Sequence, residues 1–264
     1  EYGASTLDYP FYGLGTDGLD TIDLRGTFNN SWIHSTTAQR LEADYMRDGW
    51  NRLTQRAMGD VGARQKFVQV YINGLYWGLY DASDRPESSF IATQLGGDKD
   101  DYEVLNAGTP VDSPADNPNG AANDWATLNS KIDQTVVVNG STVPYVSTDA
   151  GYQDIKSWVD VTNLADYIAQ MMFAVNLDWD GGGHNWYVYR NGHITGDGFK
   201  FVAWDSERTL EGVSDNITGT NFKGAPSHIF QQLMSNPEFK LLFADRVHRA
   251  FFNDGALTPT ANAA

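Results

Sequence analysis

The stretch NLDWDGGGHNWYVYR, residues 176–190, governs the reading of this chain. Two aspartates, three glycines, a histidine and an asparagine crowd into positions 178–185. The apolar segment VTNLADYIAQMMFAVNL (161–177) runs into them. Leu164, Ile168, Met171, Met172 and Val175 recur there at helical spacing, with Thr162 as a candidate cap. The aromatic NWYVYR runs out as a strand. Asn191-Gly192 and the glycines at 196 and 198 mark a turn, and FKFVAW (199–204) reads as the returning strand, ending in WDSE. Ordering the loop is costly, because glycine loses more backbone freedom on folding than any other residue. A metal or phosphate site is one reason for a chain to retain such a loop.

Working outward, LDTIDLRG (19–26) alternates as a strand does. The segment 36–59 carries Leu41, Tyr45, Trp50, Leu53 and Ala57 at helical spacing, so one amphipathic helix closed by Gly59 is expected. KFVQVYI and LYWGLYD flank Asn73-Gly74, the strongest short hairpin signal, because both turn positions need positive φ. Between 96 and 151 the pattern weakens. GGDKDDYEV and TPVDSPADNPNGAAND are acidic and turn-rich, and WATLNSKI (125–132) is a short helix candidate, so a long ornamented connection is expected. Its oxygen ligands suit Ca²⁺, but the spacing is not that of an EF-hand, and a solvated loop is the plainer reading. Two helices are expected in HIFQQLMSNPEFKLLFADRVHRAFF, the second opened by Pro237.

The whole chain sets bounds. Its 264 residues suffice for one large domain or two lobes with a substantial core. A net charge of −16 argues against nucleic acid or an anionic membrane as partner and permits cation binding. With no cysteine there is neither a disulfide framework nor a cysteine-ligated zinc. No apolar run is long enough to span a membrane. The opening EYGASTLDYPFYG reads as domain interior, so any export leader is expected upstream of Glu1.

A hairpin returns a chain to near its start, so Asp178, Asp180 and Asn185 are expected to converge with Asp205 and Glu207 at the far end of FKFVAW. Protein kinases place a metal-binding asparagine five residues after a catalytic-loop aspartate, and a second metal-binding aspartate beyond an intervening hairpin. Asp180 and Asn185 have that spacing. The chemistry suits phosphoryl transfer, since Mg²⁺ takes oxygen ligands and a carboxylate can take the acceptor proton. Plainer readings stand beside it. His184 is a satisfied loop histidine, Trp179, Trp186 and Trp204 are core, and Asp205 caps a turn.

Three segments in order, VYINGLYWGLYDASDRPESSFIATQLGG (70–97), the loop 176–190 and FKFVAWDSERTL (199–210), resemble the spore coat protein H (CotH) kinase-like family. Each alone is weak; as a set they are specific. The resemblance implies an α+β, atypical protein-kinase-like two-lobed fold. Residues 1–95 would form the small-lobe portion and 96–264 the large lobe, with the first N-terminal strands expected upstream of this chain. It implies transfer of phosphoryl from ATP to Ser/Thr hydroxyls of a protein, perceived here as a serine-rich substrate, with Mg²⁺ or Mn²⁺ and with Ca²⁺ as another option. It also implies an extracellular, cell-surface or spore-surface setting, within a larger secreted multidomain chain or assembly. Asp178 matches the family's loop aspartate by its distance after Asn176, whereas Asp180 fits by its distance before Asn185, and both stay open as the catalytic carboxylate. Asn185, Asp205 and Glu207 match the metal ligands.

There are departures. The loop is longer than the family's usual form, His184 replaces an asparagine, and Asp84 stands where the family has glutamate. Kinases carry a nucleotide-anchoring lysine on a small-lobe strand. Here Arg25 occupies the corresponding strand, with Glu42 or Asp44 on the first helix as its expected partner. Either a lysine lies upstream or nucleotide binding is altered. The alternative function is therefore a catalytically inactive kinase-like domain serving as a metal-binding or structural module.

Overall fold

The computed structural model describes residues 3, 5–13, 18–26, 29, 31–180 and 184–261. The first part holds β1 (Asp23–Arg25), α1 (Thr37–Glu42), α2 (Arg47–Ala57), β2 (Gln65–Ile72), β3 (Leu75–Ser83) and α3 (Ser88–Leu95). It continues with β4 (Tyr102–Asn106), β5 (Thr109–Asp112), α4 (Gly120–Ile132), β6 (Thr135–Val138), β7 (Ser141–Pro144), α5 (Asp149–Lys156) and α6 (Val161–Ala174). It ends with β8 (Trp186–Asn191), β9 (Lys200–Ala203), α7 (Pro226–Leu233) and α8 (Pro237–Phe251). The described residues form a mixed α+β structure with three antiparallel sheets, ordered β1-β3-β2, β5-β4-β8-β9 and β6-β7.

The hairpin at Asn73-Gly74 forms as expected, with φ of 50° and 80° at the two turn residues. The β8–β9 hairpin forms too, pairing Trp186 with Ala203 and Tyr189 with Lys200. Pro237 opens α8, and Asn236 caps it by accepting from the Glu238 and Phe239 amides. At α6 the cap is Asp160, two residues before the Thr162 expected, because its carboxylate reaches the amides of Thr162 and Asn163.

Two expectations are corrected. The segment 96–151 holds the helix expected at WATLNSKI, within Gly120–Ile132, but it is more than an ornamented connection. Tyr102–Asn106 is an inner strand of the four-stranded sheet, with Val104 and Leu105 fully buried. Its strands are short and flanked by acidic turns, so local composition hid them. The sheet then alternates with period two. Leu105, Trp186, Val188, Phe201 and Ala203 enter the main core with α4, α6 and α7. Val104, Tyr187, Tyr189 and Val202 pack on the other face against Phe90 and Ile91 of α3.

The first helix is the second correction. It is two helices, broken where Tyr45 takes φ 65°. Its apolar stripe does not face inward: Leu41 is 82% exposed and Leu53 56%. The inward face of α2 is polar, with Asp48, Asn51, Arg52 and Gln55 buried. Burial is offset by bonds to these groups, though among the described residues Arg52 bonds through Nη2 alone. The Gln55 amide donates to the Phe201 carbonyl (2.8 Å) and its oxygen accepts from the Ala203 amide (2.8 Å). One side chain thus satisfies the open edge of β9. Asn51 donates to Thr209 Oγ1, and Gln170 donates to the Asn51 carbonyl. Gln55→Ala is expected to cost roughly 3 kcal/mol, because it strands two buried backbone groups. Urea denaturation at neutral pH measures this.

Candidate functional site

Helix α6 ends at Val175, whose φ of 47° turns the chain out of the helix. The Leu177 amide then donates to the Arg208 carbonyl, and the Leu210 amide to the Ala174 carbonyl, each at 2.8 Å. These bonds lay the start of the loop beside the segment that follows β9. Since Trp186 pairs with Ala203, Asn185 and Asp205 flank the same end of the β8–β9 ladder. Both take left-handed backbone conformations, at φ 67° and 54°. The tight bend expected of the glycines at 181–183 lies outside the described residues.

Asp178 and Asn185 are together. The Asn185 amide donates to the Asp178 carboxylate (3.1 Å) and to its backbone carbonyl (3.0 Å). The Asp178 side chain stays one-third exposed, with the His184 ring 3.7 Å away. Asp180 is elsewhere. It is fully buried, and its carboxylate accepts from the Ser227 amide at the start of α7 (3.0 Å). Among the described residues its other oxygen has no hydrogen-bond partner. Burial pushes its carboxyl up to about 7, against the pull of the Ser227 bonds. The ordinary value is 3.8, so the folded protein keeps this proton while the unfolded chain releases it. Stability from Asp180 is complete below about pH 4 and is lost as pH rises through 7. Asp180→Asn, which keeps an acceptor for Ser227, is expected to flatten that decline. Denaturant midpoints at pH 5 and 8, compared with wild type, read it out.

Arg25 on β1 is enclosed by acids. Its guanidinium donates through Nη1 to Asp48 (2.7 Å) and through Nη2 to Asp205, with Glu207 at 3.5 Å from Nη2. It also lies over the Trp204 ring, 4.7 Å from the centroid. Burial pulls its proton affinity down, but the carboxylates of Asp48, Asp205 and Glu207 more than reverse this. Behind Arg25 stands Arg52, which is fully buried and joins Asp48 to Asp81 of β3 (2.6 Å to Asp81). Asp48 is buried, which raises its carboxyl, yet Arg52, Arg25 and the Ser206 amide hold it below the ordinary carboxylate value.

Several expected positions change as a result. The partner of Arg25 on the helix is Asp48, not Glu42 or Asp44. Glu42 lies within electrostatic reach of Arg208, and Asp44 pairs with Arg47 (3.2 Å). Asp84 is also internal, in a buried pair with Arg64 (2.7 Å). The five carboxylate and amide positions do not gather into one cluster. Among the described residues no group of three or more His, Cys, Asp or Glu is placed to hold a metal ion. Asp180 is spent on α7. Glu207, only 4% exposed, accepts from the Asn29 amide (2.7 Å) and faces Arg25.

The donors that do suit a hard cation are Asn185 and Asp205. Asn185 uses its amide hydrogens on Asp178, which leaves its carbonyl oxygen to accept, and the Asp205 side chain is 39% exposed. Asp48 and Arg52 escaped the sequence reading. Their one available signal was the acid–base pair at i,i+4 on a helix.

The chain matches the CotH kinase protein family model over residues 8–264, and it belongs to that family. No curated protein matches it. No helix among the described residues is long and apolar enough to cross a membrane.

Proposed function

We propose that this chain is a phosphotransferase of the two-lobed, protein-kinase type, moving the γ-phosphoryl of ATP to Ser/Thr hydroxyls of a protein with Mg²⁺ or Mn²⁺. The observation that carries this reading is the Arg25–Asp48 ion pair, which joins β1 of the three-stranded sheet to α2 beside Asp205. In kinases a strand lysine paired with a helix glutamate occupies that place. Residues 1–95 act as the small-lobe portion and 96–264 as the large one.

Each side chain has a role. Asp178, part-exposed and oriented by Asn185, accepts the hydroxyl proton. Arg25 binds phosphate oxygens. Asn185 and Asp205 would hold the metal ion, which would supply charge neutralisation at the phosphate oxygens. Asp180, though spaced like a kinase base, stays a structural carboxylate. The protein acts outside the cell or on a cell or spore surface, within a larger secreted chain or assembly, as its family affiliation and acidity suggest.

The test is incorporation of labelled phosphate from ATP, with Mg²⁺ or Mn²⁺, into a serine-rich acceptor or the protein itself. Arg25→Met should abolish it. If the protein neither binds nucleotide nor transfers phosphate, the second reading holds: an inactive kinase-like module with a structural role. That reading draws on the same guanidinium, which ties up Asp205 and Glu207.

A further inference from the structure

We propose that Arg25 is an exchangeable counter-cation. It neutralises Asp205 in this structure, and it becomes a phosphate ligand as a divalent cation takes over Asp205, so that cation and phosphate bind cooperatively through one side chain. The inference rests on the phosphotransfer reading above and adds a regulation of the same site.

The argument starts from which contacts of Arg25 are fixed. Its Nη1 partner, Asp48, has a side chain 9% exposed, and Asp48 also holds Arg52 and the Ser206 amide (2.9 Å). The face of Trp204 lies against the guanidinium as well. These contacts are internal and keep the head of Arg25 in place. Its Nη2 partner differs: the Asp205 side chain is 39% exposed. Water competes there, and an exposed ion pair is worth much less than a buried one. Glu207 lies 3.5 Å from the same nitrogen, a weak contact. Nη2 can therefore change partner while Nη1 stays on Asp48, without a shift of the strand.

A monovalent guanidinium and a divalent cation compete for the same carboxylate charge of Asp205, whose Oδ1 Arg25 now holds. While Arg25 is on Asp205, the carboxylate is partly neutralised and the guanidinium is unavailable to an anion. When a divalent ion occupies Asp205, Nη2 turns free beside it. A planar fork with a spare N–H edge suits a phosphate oxygen. Phosphate binding in turn draws Arg25 off Asp205 and raises cation affinity. The two effects are one coupling free energy and must be reciprocal.

The test separates Arg25 exchange from catalysis. Calorimetric titration with inorganic tripolyphosphate, in chelator so that no divalent ion is present, compares wild type, Asp205→Asn, Arg25→Met and the double variant. Asp205→Asn weakens the hold on Arg25, because a neutral amide oxygen replaces the carboxylate, and is expected to bind the anion about tenfold more tightly than wild type. That gain should vanish in the double variant, because it requires the guanidinium. A gain that persists in the double variant reports only relief of repulsion and overturns the proposal, as does no gain. In a second arm, Mn²⁺ alone is titrated and followed by electron paramagnetic resonance. Arg25→Met should bind Mn²⁺ about tenfold more tightly than wild type, and equal affinity overturns the exchange. Where Arg25→Met fails to fold by circular dichroism, Arg25→Gln takes its place. If no variant binds Mn²⁺, the metal role in the proposed function falls, while the metal-free anion cycle still decides whether Arg25 exchanges.

Discussion

If the chain is the phosphotransferase proposed above, Asp178→Asn is expected to lower transfer of labelled phosphate by about 10²- to 10⁴-fold, the range lost with a positioned acid–base group, and to leave the fold intact. The substitution keeps size and one acceptor oxygen, so the amide of Asn185 retains a partner at that position. The side chain is one-third exposed, and no buried charge is stranded by its loss. Denaturation midpoints should therefore stay within about 1 kcal/mol of wild type. On the proposed mechanism, what disappears is the basic oxygen that would take the proton of the acceptor hydroxyl. Transfer within threefold of wild type would remove Asp178 from the chemistry. Asp180→Asn serves as the control, since Asp180 is fully buried beneath α7 and its effect belongs to stability.

Arg52→Met destabilises the protein by about 3–5 kcal/mol at pH 7, a large share of the roughly 5–15 kcal/mol that holds a domain together. Arg52 is fully buried and bridges Asp48 and Asp81. Methionine fills much of the space but leaves two carboxylates facing each other in a low-dielectric site. Asp81, which burial already pushes up, loses the guanidinium that pulls it down. The deficit depends on pH with a definite sign. Asp48 is held below its ordinary value of 3.8, so its contribution exists above that pH and is lost as pH falls through the depressed range. The gap between variant and wild type should therefore narrow toward pH 3. Chemical denaturation at pH 7 and pH 3.5 checks both size and sign. A cost under about 1 kcal/mol would mean that the polar face of α2 contributes little. The same variant should also loosen Arg25, because Asp48 carries both guanidiniums.

The candidate site was legible in part. That Asp178 and Asn185 meet follows from a loop closed by a hairpin, and the β8–β9 pairing delivers it. That Asp205 stands at the same ladder end follows from the same pairing. The expected gathering of all the acids does not follow, because each carboxylate takes whichever donor its surroundings supply. Asp180 meets the Ser227 amide, 47 residues away in sequence, and Glu207 meets Asn29, 178 residues away. No local pattern announces such partners.

The sequence by itself determined the elements whose causes are local. Asn73-Gly74 made a hairpin because two consecutive residues had to accept positive φ, and Pro237 opened a helix because it needs no amide there. The ordered set of motifs placed the chain in its family. Only the tertiary structure decided that α2 turns a polar face inward, that Tyr102–Asn106 is an inner strand, and that Arg25 answers to Asp48. The reason is physical. Helical periodicity reports the average solvent preference of a face, and the buried face of α2 defies it because Gln55 and Arg52 find backbone edges and carboxylates that distant segments bring to them. Whether a charged side chain is a ligand, a cap or half of an ion pair depends on what lies within about 4 Å, and for these residues that is chain remote in sequence.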